Sequence, residues 1–261
     1  MTVADRGSLL RQLHDDPELL VLFNVWDVVS ARVLADLPGC RAVATASHSI
    51  AASAGYPDGE VIPCDEMLAA VGRIAAAVEL PVTADLEAGY GDGAETIRRA
   101  VALGVVGANL EDAVGGAMRS FDEAVAAVRA AVGAAEAEGV PFSLNARTDA
   151  VLKAGERPRE EVMADAIARG NAFLAEGATC VFVPGKLSRE EIAQLVEAYG
   201  ERKLSLIAGP GALPLAELEA LGVARVSVGP WSQRLALTAF ADAAAAMLAG
   251  GSFPNGVRVL N

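Results

Sequence analysis

Residues 81–111, PVTADLEAGYGDGAETIRRAVALGVVGANLE, contain one complete strand–helix–strand unit. PVTAD and GANLE are short apolar runs, and AETIRRAVALG between them has the apolar spacing of an amphipathic helix closed by glycine. Each apolar run ends in a carboxylate, Asp85 or Glu111. The unit predicts two parallel strands joined by a helix, with acidic side chains where the strands end.

The same alternation continues in both directions along the chain. Six further apolar runs are predicted as strands, at residues 21–24, 42–46, 142–147, 179–184, 204–209 and 224–229. Eight strands separated by helical stretches predict a single (β/α)8 TIM barrel over residues 1–261. An open doubly wound sheet is the alternative, but FNVWDVVS after the first run contains no glycine for its phosphate fingerprint.

Composition narrows the classes of partner. Acidic residues outnumber basic ones 34 to 21, and the net charge of −13 argues against nucleic acid and anionic lipid. No run approaches the length of a membrane span, and the first residues lack a signal-peptide core, so we expect a cytoplasmic protein that binds no membrane. The three separated cysteines predict no disulfide framework, and with only two histidines any metal must be held by oxygen.

Acidic side chains follow neighbouring predicted strands, and parallel strands bring their carboxyl ends to one rim. Asp85, Glu87 and Glu111 would repel one another there unless a cation neutralised them. Mg2+ suits such a set because it prefers hard oxygen ligands and keeps several waters. We predict a Mg2+ site with Asp85 in direct contact, whereas a salt bridge or a helix cap, as at Asp92, is the alternative for any single acid.

Arg147 is the cation that ends a predicted strand, and its planar fork suits a substrate carboxylate or phosphonate. An ion pair with Asp149 or Glu111 is an equally good interpretation. His48 has the chemistry of a general acid, although a histidine that only satisfies its own hydrogen bonds fits the sequence as well.

Four spaced motifs carry a resemblance to a known family. They are TASHSIAASAGYPDGE at 45–60, PVTADLEAGYGD at 81–92, GANLEDA at 107–113 and LNARTD at 144–149. In this order they resemble the isocitrate lyase and phosphoenolpyruvate mutase family, and the resemblance runs from about Asn24 to Gly229.

The resemblance implies roles for particular residues. It implies a substrate pocket of Trp26, Ser47, His48, Asp85 and Arg147, and a metal cluster of Asp85, Glu87 and Glu111. Asp58 matches a family aspartate, and we assign catalytic roles to Arg147, Asp58 and Tyr56. Family members are Mg2+-dependent tetramers or dimers whose last helix is exchanged between barrels, which implies a homo-oligomer in which Leu235 to Leu248 pack on a neighbour.

One segment departs from the family. Residues 113–120, AVGGAMRS, lack the cysteine, lysine and histidine of the isocitrate-type lyases, and also the lysine, phenylalanine and asparagine of the phosphonomutases. We therefore expect a lyase that cleaves or decarboxylates a small 2-oxo or 2-hydroxy acid, such as oxaloacetate or methylisocitrate, through an enolate. Its proton comes from water, Tyr56, Tyr90 or His48. A phosphonomutase acting on phosphoenolpyruvate or its carboxylated relative is the first alternative, and a non-catalytic metabolite-binding barrel is the second.

Overall fold

Eight parallel strands form a barrel in a computed structural model that describes residues 1–260. All eight predicted runs are strands, which confirms the predicted (β/α)8 fold class. The strands are β1 (Leu20–Leu22 and Asn24–Val25, interrupted at Phe23), β2 (Val43–Thr45), β3 (Val82–Asp85), β4 (Gly107–Glu111), β5 (Ser143–Arg147), β6 (Cys180–Phe182), β7 (Leu204–Ile207) and β8 (Arg225–Ser227).

The barrel closes through the interrupted strand β1. Its first segment pairs with β8 and its second with β2, so the break at Phe23 lets one strand serve both neighbours. The buried Asn24 amide connects the three strands: its Nδ2 donates to Thr45 O at 2.7 Å, and its Oδ1 accepts from the N–H groups of Val228 and Gly229 at 2.9 and 2.7 Å. The backbone donors after β8 are therefore already occupied.

The helices lie outside the ring. They are α1 (Val3–Asp15), α2 (Val28–Ala35), α3 (Ser47–Ser53), α4 (Cys64–Ala77), α5 (Gly93–Ala102), α6 (Phe121–Ala137), α7 (Arg159–Ala175), α8 (Arg189–Tyr199), α9 (Leu215–Ala220) and α10 (Trp231–Leu248). Local sequence fixes several starts, because Ser120 and Ser188 form capping boxes with Glu123 and Glu191. Asp92 caps α5, which is the alternative that the sequence left open for this acid.

Helix α1 closes the amino end of the barrel. Leu10 is fully buried and packs with Leu20 and Leu22 of β1. Gly107 begins β4 at this point, where an added methyl group would lie 2.8 Å from Leu10 Cδ2 and from Ser143 O. With this end filled, the carboxyl ends of the strands form the accessible mouth.

The last helix, α10, lies largely outside the core. Only Ser232 and Gln233 of its 18 residues are buried, and Phe240 is 72% exposed. Within residues 1–260, no helix combines the length and the apolarity needed to cross a bilayer.

Candidate active site at the carboxyl end of the barrel

A cavity of about 400 Å³ opens at the carboxyl ends of the strands. Five predicted site residues line it: Ser47, Asp58, Glu87, Glu111 and Arg147. They come from loops and strand ends up to 100 residues apart along the chain, so the parallel barrel brings them together. The cavity is walled on one side by Ala113, Gly115 and Gly116, which belong to a short hairpin that follows β4.

Asp85 ends β3 beside the cavity without lining it, and both of its carboxylate oxygens are engaged. Its Oδ2 accepts from the Ser47 hydroxyl at 2.7 Å and from the Ser47 N–H at 3.1 Å. Its Oδ1 accepts from Asn109 Nδ2 at 3.4 Å. Ser47, which the family resemblance places in the substrate pocket, therefore orients the predicted metal ligand.

Glu87 is held in a strained segment after β3. Its side chain is 4% exposed, its Oε2 accepts from Glu60 N at 2.6 Å and its Oε1 accepts from the Tyr90 hydroxyl at 2.8 Å. Glu60, Glu87 and Tyr90 all adopt left-handed backbone conformations, with φ of 59°, 51° and 54°. Each such non-glycine residue costs about 1–3 kcal/mol, so the mutual hydrogen bonds of these residues maintain a disfavoured geometry at the cavity wall.

The charge on Glu87 is opposed by its surroundings. Burial is the main reason that the pKa of Glu87 lies above its usual range, and the charge of Asp85 raises it further. The Tyr90 hydroxyl donates to this carboxylate, and burial together with Glu87 raises the pKa of Tyr90 well above its usual range. A phenol held in this way is a poor proton donor, so Tyr90 acts here by orienting Glu87.

Arg147 lies between two carboxylates. Its Nη1 lies 2.6 Å from Glu111 Oε2, and its Nε and Nη2 donate to the two oxygens of Asp149 at 2.6 and 3.0 Å. The ion pair that the sequence left open is therefore present. These contacts use three of the five guanidinium N–H groups, which leaves one on each terminal nitrogen for a substrate anion.

The electrostatics around Glu111 and Arg147 favour a bound cation. Burial raises the pKa of Glu111 to about 8, Arg147 counteracts part of that rise, and Asp149, Asp85 and Glu87 add to it. Burial opposes the charge of Arg147, but Glu111 and Asp149 hold its pKa above the usual range. Burial and mutual repulsion therefore oppose ionisation of these carboxylates, and a bound cation would favour their charged forms.

Asp112, next to Glu111, is buried behind the cavity wall and binds the backbone of Asp149. Its Oδ1 accepts from Asp149 N at 2.9 Å and its Oδ2 lies 3.2 Å from Arg169 Nη1. The side chain is 2% exposed, and burial is the main cause that raises the pKa of Asp112. Because Asp149 in turn binds Arg147, the buried Asp112–Arg169 pair helps to fix the position of the Arg147 guanidinium.

Besides Asp85, three predicted site residues lie outside the cavity lining. Trp26 packs against the main core, and the Tyr56 hydroxyl donates to Glu66 of α4 at 3.1 Å. His48 is half-buried and its Nδ1 has no partner within residues 1–260. His48 follows Ser47 in helix α3, and consecutive helical residues point in directions about 100° apart. Trp26 and His48, predicted to bind substrate, and Tyr56, predicted to be catalytic, are thus not among the residues that line the cavity.

Sequence reasoning missed Glu60 and Lys153, which both line the cavity. Glu60 lies inside the quoted motif at 45–60, but its interaction with Glu87 depends on the loop conformation. Lys153 comes from the loop after β5, where no periodic pattern marks it. No carboxylate of residues 1–260 lies within ion-pair distance of Lys153, unlike Arg147 in the same cavity.

The oxygen donors suit a hydrated magnesium ion. Across residues 1–260, no three acidic, cysteine or histidine side chains converge closely enough to hold one ion directly. Mg2+ usually retains several waters and contacts one or two carboxylates, so carboxylates at somewhat different depths fit it through bridging waters. The repulsion that Asp149, Asp85 and Glu87 exert on a charged Glu111 supplies the electrostatic reason for such an ion.

Comparisons with known proteins identify relatives of this chain. A family model described as phosphoenolpyruvate phosphomutase matches residues 10–248. A Burkholderia cenocepacia structure described provisionally as a phosphonomutase is 42% identical, covering 91% of this chain and 98% of its own, with a TM-score of 0.86. The oxaloacetate decarboxylase of Paraburkholderia xenovorans is 31% identical over 204 residues, 72% of this chain and 64% of the relative. Oxaloacetate acetylhydrolase bound to its product oxalate is 27% identical over 98% of this chain and 92% of its own, with a TM-score of 0.86.

Proposed function

Because this chain belongs to the phosphoenolpyruvate phosphomutase family, we propose that it is a Mg2+-dependent lyase for a small 2-oxo or 2-hydroxy acid. The reaction is cleavage of a carbon–carbon bond, or decarboxylation, through an enolate, with oxaloacetate and methylisocitrate as the model substrates. The observation that carries the proposal is a single cavity that combines several carboxylates with the Arg147 clamp and the uncommitted Lys153.

The chain offers Asp85, Glu87 and Glu111 to hold Mg2+. When bound, the ion supplies a Lewis acid that attracts the 2-oxo acid and stabilises negative charge on its oxygen. Ser47 fixes the Asp85 carboxylate, and Glu60 with Tyr90 fixes Glu87. These contacts hold the ligands in place before the metal binds, which reduces the entropy that is lost on binding.

Arg147 and Lys153 position the organic acid. Arg147 donates its two remaining N–H groups to a substrate carboxylate, and Lys153 neutralises a second anionic group farther from the metal. In decarboxylation of oxaloacetate, the electrons of the breaking C3–C4 bond pass into the enolate and CO2 leaves. C3 then takes a proton from water, and we assign the exposed Asp58 at the cavity mouth to orient that water.

A phosphonomutase is the second candidate, favoured by the 42% identity to the Burkholderia cenocepacia structure. The same metal and arginine would hold a phosphoenol acid while phosphorus moves from oxygen to carbon. The hairpin at residues 113–120 lacks the lysine, phenylalanine and asparagine of the phosphonomutases, and it equally lacks the cysteine, lysine and histidine of the isocitrate-type lyases. Its composition therefore does not distinguish the two candidates, and the product assay below does.

We also propose that the protein is a homo-oligomer, a tetramer or a dimer, in which α10 packs on a neighbouring barrel. The support is the apolar surface that α10 leaves open: Leu235, Leu237, Phe240 and Leu248 are 66%, 57%, 72% and 89% exposed. Several large apolar side chains exposed on one helix are consistent with a protein interface.

The function is tested by incubating the wild-type protein and Mg2+ separately with oxaloacetate, methylisocitrate and phosphoenolpyruvate. A 2-oxo acid product that EDTA abolishes supports the lyase, and a phosphorus NMR signal moving to the phosphonate region supports the mutase instead. Asp85→Ala is expected to abolish Mg2+-dependent oxalate binding in calorimetry, whereas Asp92→Ala, which removes only a helix cap, retains it. Tight Mg2+ and oxalate binding without any product would identify a non-catalytic binding protein.

A further inference from the structure

Arg225 is a fully buried cation inside the barrel that the proposed chemistry does not use. It begins β8 and is 1% exposed. Strands β8 and β4 are four positions apart in the ring of eight, so they form opposite walls. Arg225 nevertheless reaches β4, because its Nη2 donates to Asn109 Oδ1 at 3.2 Å. The Arg225 side chain therefore reaches across the barrel interior.

Asn109 connects this cation to the proposed metal ligand. Its Oδ1 accepts from Arg225 and also from Asn145 Nδ2 at 2.7 Å. Two donors on one amide oxygen fix the direction of the amide, and its Nδ2 then points to Asp85 Oδ1 at 3.4 Å. Since Ser47 binds the other oxygen of Asp85, the carboxylate is held from both sides.

The energetic cost of Arg225 indicates a role other than stability. No carboxylate of residues 1–260 lies within ion-pair distance of it, and its Nε and Nη1 have no protein partner among those residues. A buried charge without a counter-ion costs several kcal/mol, and an apolar side chain of similar volume would avoid that cost.

We infer that Arg225 is a positioning residue, which orients Asn109 and through it sets the carboxylate of Asp85 toward the cavity. This inference rests on the proposed role of Asp85 in metal binding. Partners that orient a metal ligand from behind typically contribute roughly 10- to 100-fold to metal affinity. A cation that acted only through its charge would repel Mg2+, so its removal would strengthen metal binding. The two roles thus predict effects of opposite sign.

The test measures Mn2+ affinity, by the loss of the free-ion electron paramagnetic resonance signal, for wild-type protein and for Arg225→Met. The positioning role predicts that Arg225→Met weakens Mn2+ binding roughly tenfold or more, with partial recovery in Arg225→Lys. Ser205→Ala is the matched control, because Ser205 is the register neighbour of Arg225 on β7 and its buried hydroxyl also lacks a partner. We expect Mn2+ affinity near the wild-type value in that control.

Unchanged or tighter Mn2+ binding by folded Arg225→Met would overturn the inference while leaving the metal site intact. If Arg225→Met does not fold, Asn109→Ser breaks the same connection and must weaken Mn2+ binding to a similar extent, and wild-type affinity there would overturn the inference equally. A wild-type protein that does not bind Mn2+ at all would overturn the proposed metal site and this inference with it.

Discussion

Two identical substitutions in the middle of helices are expected to change stability in opposite directions. Gly133 lies on the exposed side of α6, where an added methyl group would have no neighbour within 4 Å. Gly170 is buried in α7, where the methyl group would lie 2.5 Å from the Tyr199 hydroxyl oxygen and closer still to two ring carbons. The backbones are both helical, so the difference between the sites is one of tertiary packing.

The magnitudes follow from these surroundings. Replacing a mid-helix glycine by alanine gains about 1 kcal/mol, which is the whole effect expected for Gly133→Ala. For Gly170→Ala, overpacking costs about 1–3 kcal/mol. A displaced Tyr199 ring also loses its 2.7 Å bond to Ala166 O, and leaving those buried groups unpaired costs about 1–3 kcal/mol more. From the middle of these ranges, Gly170→Ala is about 3 kcal/mol less stable than wild type after the helical gain.

Urea unfolding followed by circular dichroism at 25 °C measures both variants against wild type. We expect the transition midpoint to rise for Gly133→Ala and to fall for Gly170→Ala, with unchanged slopes. The reasoning would be refuted if Gly170→Ala were as stable as Gly133→Ala, because α7 would then have room beside Tyr199.

Three further outcomes are expected. Burial first, and then Arg225, lower the pKa of His14 from 6.5 to about 3, so between these values only the unfolded chain binds the proton and stability falls as the pH decreases. His14→Leu should remove about 2 kcal/mol of the difference in unfolding free energy between pH 7 and pH 5, and an undiminished difference would contradict this. Asp112→Asn removes one of the two carboxylates that pair with the buried Arg169, Asp165 being the other, and should cost about 1–3 kcal/mol in urea unfolding together with weaker oxalate binding. Wild-type values would show that the Asp112–Arg169 pair does not support the position of Arg147. Phe240→Glu should dissociate the proposed oligomer in sedimentation experiments. Leu37→Glu, which introduces the same charge at an exposed apolar side chain outside α10, should not. An oligomer that persists in both variants would argue against exchange of α10.

The fold could be predicted from the sequence because strands and helices are indicated by patterns of neighbouring residues. A strand is indicated by a few consecutive apolar residues. The start of a helix such as α6 is indicated by its capping box, Ser120 with Glu123 three positions later. In a parallel barrel the carboxyl ends of all strands share one rim, so the acids after β3 and β4 and the arginine after β5 were predictable neighbours. Glu87, Glu111 and Arg147 do line one cavity.

Tertiary structure decided which of these side chains contact one another and which point elsewhere. His48 follows Ser47 directly in sequence and Tyr56 belongs to the same motif, yet neither lines the cavity, and the Tyr56 hydroxyl donates to Glu66 instead. Conversely, Lys153 enters it from a loop without a pattern, and Arg225 meets Asn109 across 116 positions of sequence. Periodicity records which face of a strand or helix is buried, but the identity of the partner depends on contacts that form only when distant strands close the ring.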